Sequence, residues 1–198
     1  MVKLKDALEL AEKIKDKSLR EKTIKLLKEP EISNPEIIYP AAKFEEIPAW
    51  PIGAHHHHAG GELEHTVSIT KIVMALADHF ENMYKMKINK DHLIAGALLH
   101  DIAKVFLYKK IGNEWQFTGA NLDHADFGAC ELYARGFPEE VVHIVASHGG
   151  EQGAAGANPR TVEALLVYWA DFLDASVESS TGGEAIKQLL QLALKGSE

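Results

Sequence analysis

The sequence predicts an all-α protein, a helical bundle carrying one short β-hairpin. Three observations give that class. Apolar residues recur at steps of three and four through most of the chain. One segment, "KVFLYKKIGNEWQFTG" (Lys104–Gly119), instead alternates and holds a turn-like Gly112-Asn113 pair. The densest clusters of proline and glycine fall between the periodic segments.

The elements follow in order. Residues 1–30 read as a helical segment, with Leu4, Ala7, Leu8 and Ala11 on one face, Lys and Glu opposite, and Pro30 as its stop. Residues 31–61 break every period and read as a long ordered connection, because Tyr39, Phe44 and Trp50 need burial. Helices are expected at Glu62 to about Lys85 and at Lys90–Ile102, with the hairpin after them. Further helices are expected at about Asp123–Arg135, Pro138–Ser147, Pro159–Glu178 and Gly182–Leu194. The glycine-rich "GGEQGAAGANPR" between two of these reads as a mobile loop. No repeat or second domain is visible, so residues 1–198 are expected to form one domain whose core spans 54–178.

Composition narrows the function. A chain of 198 residues with 46% hydrophobic and 25% charged residues is an ordinary globular sequence. No apolar run reaches bilayer length, and the N-terminus matches no signal or transit peptide, so a cytoplasmic location without a membrane partner is expected. The single cysteine, Cys130, fits a reducing compartment and reads as a small core residue rather than a nucleophile. A net charge of −8 argues against broad affinity for nucleic acid. Eleven histidines is a high count for this length.

The predicted helices aim several of those histidines inward. His65 lies on the stripe with Ile69, Ile72 and Leu76. His100 shares a face with Leu93, Gly96 and Ala97, and Asp101 follows it. His124 falls in a first turn that Asp123 caps. His148 closes the stripe of Val141, Ile144 and Val145, and Asp171 sits among Ala164, Val167 and Tyr168. A single core-facing histidine is more often structural. Six ionisable groups with few Lys or Arg on the same stripes are costly to bury unless paired or bound to metal. Histidine with aspartate suits Zn, Mn, Fe, Ni or Co, and two aspartates with four histidines exceed the need of one tetrahedral zinc. A two-metal site with a bridging carboxylate uses them all.

The motifs carrying these residues are "LEHT" (Leu63–Thr66), "LLHDIAK" (Leu98–Lys104), "DHADFGA" (Asp123–Ala129), "VASHGG" (Val145–Gly150) and "YWADFLDA" (Tyr168–Ala175). In this order they resemble the HD-domain phosphohydrolase superfamily, and the resemblance covers about Ala54 to Val177. Within it, "HHHHAGGELEHT" and "YPAAK" are similar to the HD part of 3′-to-5′ exoribonucleases that carry an OB-fold ahead of it. Here a helical segment stands in that place, Ala103 replaces the glycine usual in "HDIGK", and the "GYP" of cyclic-dinucleotide phosphodiesterases is absent.

The resemblance implies an HD-domain helical bundle and a metal-dependent phosphohydrolase. It implies that His65, His100, Asp101 and Asp171 hold one divalent metal ion. Asp101 would bridge to a second, held by His124 and His148. The ions are expected among Mn, Fe, Ni, Co, Zn and Mg. Asp101 and Lys104 are the candidates for the chemistry. Lys104, one turn after His100, is expected to neutralise charge on the phosphoryl group, and a surface lysine at a helix end is the plain alternative. Four consecutive histidines, His55, His56, His57 and His58, precede Gly60 and Gly61, which allow a tight turn onto the helix of His65. An internal run of this kind reads as native sequence. One or two of its members are expected to touch substrate phosphate or the outer shell of the metal, against a solvated loop as the alternative.

The expected substrate is a phosphate-containing small molecule, a nucleotide or other phosphoester, attacked by a metal-activated water. A 3′-to-5′ exonuclease on single-stranded nucleic acid is the first alternative. Lys104, Lys109, Lys110 and Arg160 with Trp115 and Phe117 offer it a thin basic and aromatic track. A non-catalytic metal- or ligand-binding module is the second.

Overall fold

The computed structural model describes residues 2–50, 55–150 and 157–181. Among these the chain runs α1 (Leu4–Ala11), α2 (Lys17–Lys28), α3 (Gly61–Tyr84), α4 (Lys90–Leu99), α5 (Lys104–Leu107), β1 (Tyr108–Ile111), β2 (Glu114–Phe117), α6 (His124–Ala134), α7 (Glu139–Ser147) and α8 (Val162–Thr181). The described part is a helical bundle with a single two-stranded antiparallel hairpin. The helix expected at Gly182–Leu194 and part of the glycine-rich loop lie outside the described residues. No helix among the described residues is long and apolar enough to cross a membrane.

The N-terminal helical segment is two helices rather than one. The carboxylate of Asp91, on α4, accepts the backbone N–H groups of Lys15 and Asp16 at 2.9 and 2.8 Å. Asp16 in turn caps α2, accepting from Leu19 N at 2.7 Å. A tertiary carboxylate thus takes the donors that helix continuation would need, a contact no local pattern announces.

Lys90–Ile102 is also shorter than expected. α4 ends at Leu99, a turn follows, and Lys104–Leu107 forms its own helical turn before the hairpin. All four residues of that turn are buried. A fully buried short run carries no clear alternation, so periodicity cannot separate strand from helix there. The hairpin itself has the register Tyr108↔Phe117 and Lys110↔Trp115, and Gly112 takes a φ of +63° in its turn.

Two apolar clusters flank the centre. One joins α1, α2, the connection, α4, α5 and α6 around Leu27, Ile47, Leu98 and Ile102. The other joins α3, α4, α7 and α8 around Ile69, Leu93, Ile144 and Val167. Of the aromatics in the connection, Phe44 is buried and Tyr39 is half-buried, but Trp50 is 39% exposed. It rests edge-on against Phe117, with ring centroids 6.3 Å apart. Cys130 is exposed, not a core residue. Gly61 is dictated by contact. A Cβ there would lie 1.9 Å from the His56 carbonyl oxygen, so only glycine lets the histidine run pack onto the start of α3.

Candidate metal centre

α3, α4, α6, α7 and α8 each deliver one group, and Asp101 follows the end of α4. His65 enters from the first turns of α3, His100 and His148 sit at the C-caps of α4 and α7, and His124 opens α6 behind its cap Asp123. His65, His100, Asp101 and His148 are buried, while the side chains of His124 and Asp171 are each 22% exposed. The centre therefore opens on the side of those two residues.

Asp101 divides the cluster. Its Oδ2 lies 3.2 Å from His100 Nε2 and 3.8 Å from His65 Nε2, and Asp171 Oδ1 lies 3.1 Å from His65 Nε2. Its Oδ1 lies 3.2 Å from His124 Nε2 and 3.5 Å from His148 Nε2, and those two nitrogens are 3.1 Å apart. One carboxylate oxygen faces each half of the set.

The ring orientations argue for cations. His100 Nδ1 donates to Ala97 O at 2.8 Å and His148 Nδ1 to Val145 O at 2.7 Å. His65 Nδ1 donates to Asp174 Oδ2 at 2.8 Å, and His124 Nδ1 faces Asp123 Oδ2 at 3.2 Å. Each Nδ1 meets an acceptor and so carries the proton, which leaves each Nε2 lone pair aimed at a carboxylate or at another imidazole. His65 Nε2, His100 Nε2 and Asp101 Oδ1 are buried with no hydrogen-bond partner. Buried lone pairs that converge on one another are stable only around positive charge. The donor set of imidazoles and carboxylates fits divalent transition metals.

Charge bears this out. Burial works to raise the carboxyls of Asp101 and Asp171. Lys104 and His100 outweigh it at Asp101, and the His65 ring, 3.1 Å away, does so at Asp171, so both stay well below the usual carboxylate range. Burial works to lower His65, yet Asp171 and Asp174 overcome it and push the ring up to about 10. His148 is raised as well, burial being outweighed by Asp101. The cluster is rich in negative charge and draws protons when no metal competes.

This has a consequence for stability. In the metal-stripped chain, His65 and His148 titrate above their ordinary 6.5, so their contribution is full below that pH and lost as pH rises, for His65 toward about 10. Asp171 and Asp174 titrate below their ordinary 3.8, so their contribution is full above it and lost in acid. His55, held down to about 4, opposes part of this, since its contribution is full above 6.5 and lost as pH falls. The stripped chain is thus expected to lose stability as pH rises from about 6.5 toward 10 and again as it falls below about 4. The metal-loaded chain should behave oppositely on the alkaline side, because coordination needs neutral imidazole and weakens below about pH 6. Melting curves across pH with EDTA and with Mn(II) check this, and parallel curves would contradict it.

Asp174 and Glu62 are the residues that the sequence reading missed. Asp174 accepts from His65 Nδ1 at 2.8 Å and from Ser68 Oγ, and its Oδ2 lies 2.9 Å from His56 Nε2. It stands three residues after Asp171 within "YWADFLDA", so helical spacing could have found it. Glu62, fully buried in the first turn of α3, lies 3.2 Å from Lys104 Nζ and accepts from Thr66 Oγ1 at 3.1 Å.

Lys104 is not at the surface. It is 4% exposed, and its ammonium lies 2.5 Å from Asp101 Oδ2 as well as against Glu62. Of the histidine run, His56 is buried and reaches Asp174, and its N–H donates to Glu178 Oε2 at 2.8 Å. His55 places its ring 4.9 Å from that of His65, and burial, His65 and Lys104 hold it down to about 4. His57 and His58 are exposed. Of the other members of the suggested nucleic-acid track, Lys110 lies over the Trp115 ring at 5.9 Å, Arg160 lies beside His143, and Phe117 lines a cleft beside His124.

A cleft of about 270 Å³ opens beside His124, walled by Trp50, Leu107, Tyr108, Phe117 and Leu122, with Asn121 and Asp123 on its polar side.

The comparisons with known proteins agree with this arrangement. The family model "HD domain" matches residues 62–176. The dihydroneopterin 2′,3′-cyclic phosphate phosphodiesterase of Methanocaldococcus jannaschii is 44% identical over 172 residues, 86% of this chain and 68% of that protein. The 3′-5′ exoribonucleases YhaM of Oceanobacillus iheyensis and Bacillus subtilis are 32% and 30% identical over 166 and 146 residues. These alignments cover 74% and 69% of this chain, which spans 50% and 45% of the two enzymes. No solved structure matches the chain at a significant level. The inward-facing histidines and aspartates, the helical bundle that carries them and these matches agree: the chain belongs to the HD-domain family of metal-dependent phosphohydrolases.

Proposed function

We propose that this chain is a dinuclear-metal phosphodiesterase that opens small cyclic phosphodiesters, with dihydroneopterin 2′,3′-cyclic phosphate the first substrate to test. The carrying observation is Asp101, whose two oxygens face two separate groups of inward-turned Nε2 atoms. His65, His100, Asp101 and Asp171 would hold one ion, and Asp101, His124 and His148 the other. Two bound divalent cations would supply Lewis acidity at phosphorus and lower the pKa of water toward neutrality.

The chain's own residues set the conditions for that chemistry. The four Nδ1 contacts fix the tautomers so that every Nε2 is free to coordinate. Lys104 keeps Asp101 ionised and offsets its charge from the protein side. Its ammonium adds positive potential where negative charge grows on the phosphoryl oxygens. The exposed edges of His124 and Asp171 leave the centre open to substrate. In the net reaction the water oxygen bonds to phosphorus and one ester P–O bond breaks. The departing oxygen leaves protonated and the product is a phosphomonoester.

An exoribonuclease reading is supported by the YhaM matches and by Lys110 stacked on Trp115. One panel decides. Metal-stripped protein is reloaded with Mn, Fe(II), Co, Ni, Zn or Mg and offered the cyclic phosphate, bis-p-nitrophenyl phosphate and an end-labelled oligoribonucleotide. Metal-restored opening of the cyclic phosphate is the expected result. Stepwise shortening of the oligonucleotide with an inert cyclic phosphate would favour the nuclease, and inert protein throughout would leave a binding module.

Asp174 is assigned the orientation of His65. Asp174→Asn should weaken metal affinity by about 10- to 100-fold, as loss of a carboxylate behind a ligating histidine does. Competition with a fluorescent chelator measures it, and unchanged affinity would remove Asp174 from the account.

A further inference from the structure

The cleft beside His124 points to a substrate feature beyond the phosphate. We infer that Trp50 and Phe117 form the walls of a subsite for a planar nitrogen heterocycle, a pterin or a purine base, carried by the substrate. The inference rests on the phosphodiesterase reading above and adds what selects the substrate.

Three large apolar residues meet in this cleft while exposed to solvent: Trp50 at 39%, Phe117 at 52% and Leu122 at 44%. Exposed apolar surface gathered in a concave site marks ligand binding more than scattered apolar residues do. Two of the three are aromatic, and their positions are braced. Phe117 packs edge-on against the buried ring of Tyr108 at 5.3 Å and against Trp50 at 6.3 Å. Tyr108 and Phe117 are directly paired across the hairpin, which fixes the wall to the scaffold. Asn121 adds a side-chain amide that both donates and accepts, matching the edge of a nitrogen heterocycle.

Size and position agree. A volume of about 270 Å³ lies just under the range for drug-sized ligands and suits one bicyclic ring with a short tail. His124 lines the cleft and also turns its Nε2 to Asp101 Oδ1 at 3.2 Å. A ring seated here therefore places its phosphate-bearing tail at the open edge of the candidate metal centre. Among the described residues the lining of the cleft holds no lysine or arginine, which suits the neutral part of the substrate and leaves the phosphate to the centre.

The test uses metal-loaded wild type, Trp50→Ala and Phe117→Ala, with melting temperature and metal content confirming intact protein. Calorimetry measures binding of pterin and of guanosine, neither of which carries phosphate. Wild type is expected to bind one of the two, and which one identifies the ring. Each substitution should weaken that binding by about 5- to 100-fold, the effect of losing one ring–aromatic stack. A second readout compares kcat/KM for the ring-bearing cyclic phosphate with that for glycerol 1,2-cyclic phosphate. The ratio should fall by a similar factor in both variants. Wild-type affinity for neither ring, or equal affinity in the variants, overturns the subsite even if cyclic phosphates are hydrolysed. Ring binding lost in the variants, with no hydrolysis by wild type, sustains the subsite and overturns the phosphodiesterase reading instead.

Discussion

Asp101→Ala is expected to abolish metal loading at both halves of the centre and to lower turnover by at least about 10³-fold. Every other candidate ligand faces one half of the cluster, whereas the two oxygens of Asp101 face both. Losing several kcal/mol of charge stabilisation at phosphorus corresponds to three or more decades in rate. The variant also leaves Lys104 facing Glu62 alone. Elemental analysis after dialysis, with hydrolysis of the cyclic phosphate, reads the outcome. A variant that keeps both its metal and its turnover would remove Asp101 from the centre.

Lys104→Ala is expected to cost stability as well as rate. Its ammonium is buried against Asp101 and Glu62, and Glu62 is fully buried. Removing one partner of a buried ion pair typically costs about 3–5 kcal/mol, because the other charge is stranded. Burial already raises the Glu62 carboxyl, with Lys104 opposing it, so Glu62 should take up a proton once the lysine is gone. Lys104→Met combined with Glu62→Gln should therefore recover, in denaturant melts, the part of the lost stability that comes from stranding Glu62, while Asp101 still lacks its ammonium partner. It should not recover kcat, which is expected to stay about 10²- to 10³-fold down if the ammonium offsets charge at the reacting phosphate. A double variant with wild-type kcat would reduce Lys104 to a structural ion pair. A single variant with wild-type stability would contradict the burial argument.

Most of the centre was legible because its residues obey local rules. His65, His100, His148 and Asp171 each fall on an apolar stripe at helical spacing, and Asp123 marks the helix start that carries His124. The family resemblance supplied their pairing, which spacing alone does not contain. What stayed hidden depends on contacts distant in sequence. Glu62 meets Lys104 across 42 positions, and Asp91 interrupts the N-terminal helix from 75 positions away. The helical turn at Lys104–Leu107 was hidden for another reason, since a run buried on every side shows neither period. Trp50 and Cys130 show that residue type is a weak guide to burial at single positions. Trp50 lines a cleft, and Cys130 lies on the exposed side of α6.

Asp174 lies between these cases. Its spacing from Asp171 put it on the same helix face, but its role shows only when the rings of His56 and His65 both reach it. The histidine run gains its purpose there too. Gly61 admits the His56 carbonyl against α3, so the run is pinned beside the candidate ligands at its His55–His56 end.

The central claim is that two ions share Asp101, and the metal stoichiometry of His124→Ala beside wild type tests it most directly. Mass-spectrometric metal analysis of protein reloaded and freed of excess ion should give two ions per chain in wild type. It should give one in His124→Ala, because His65, His100, Asp101 and Asp171 remain together. One ion in both proteins, or two in both, would contradict a centre divided across the two oxygens of Asp101.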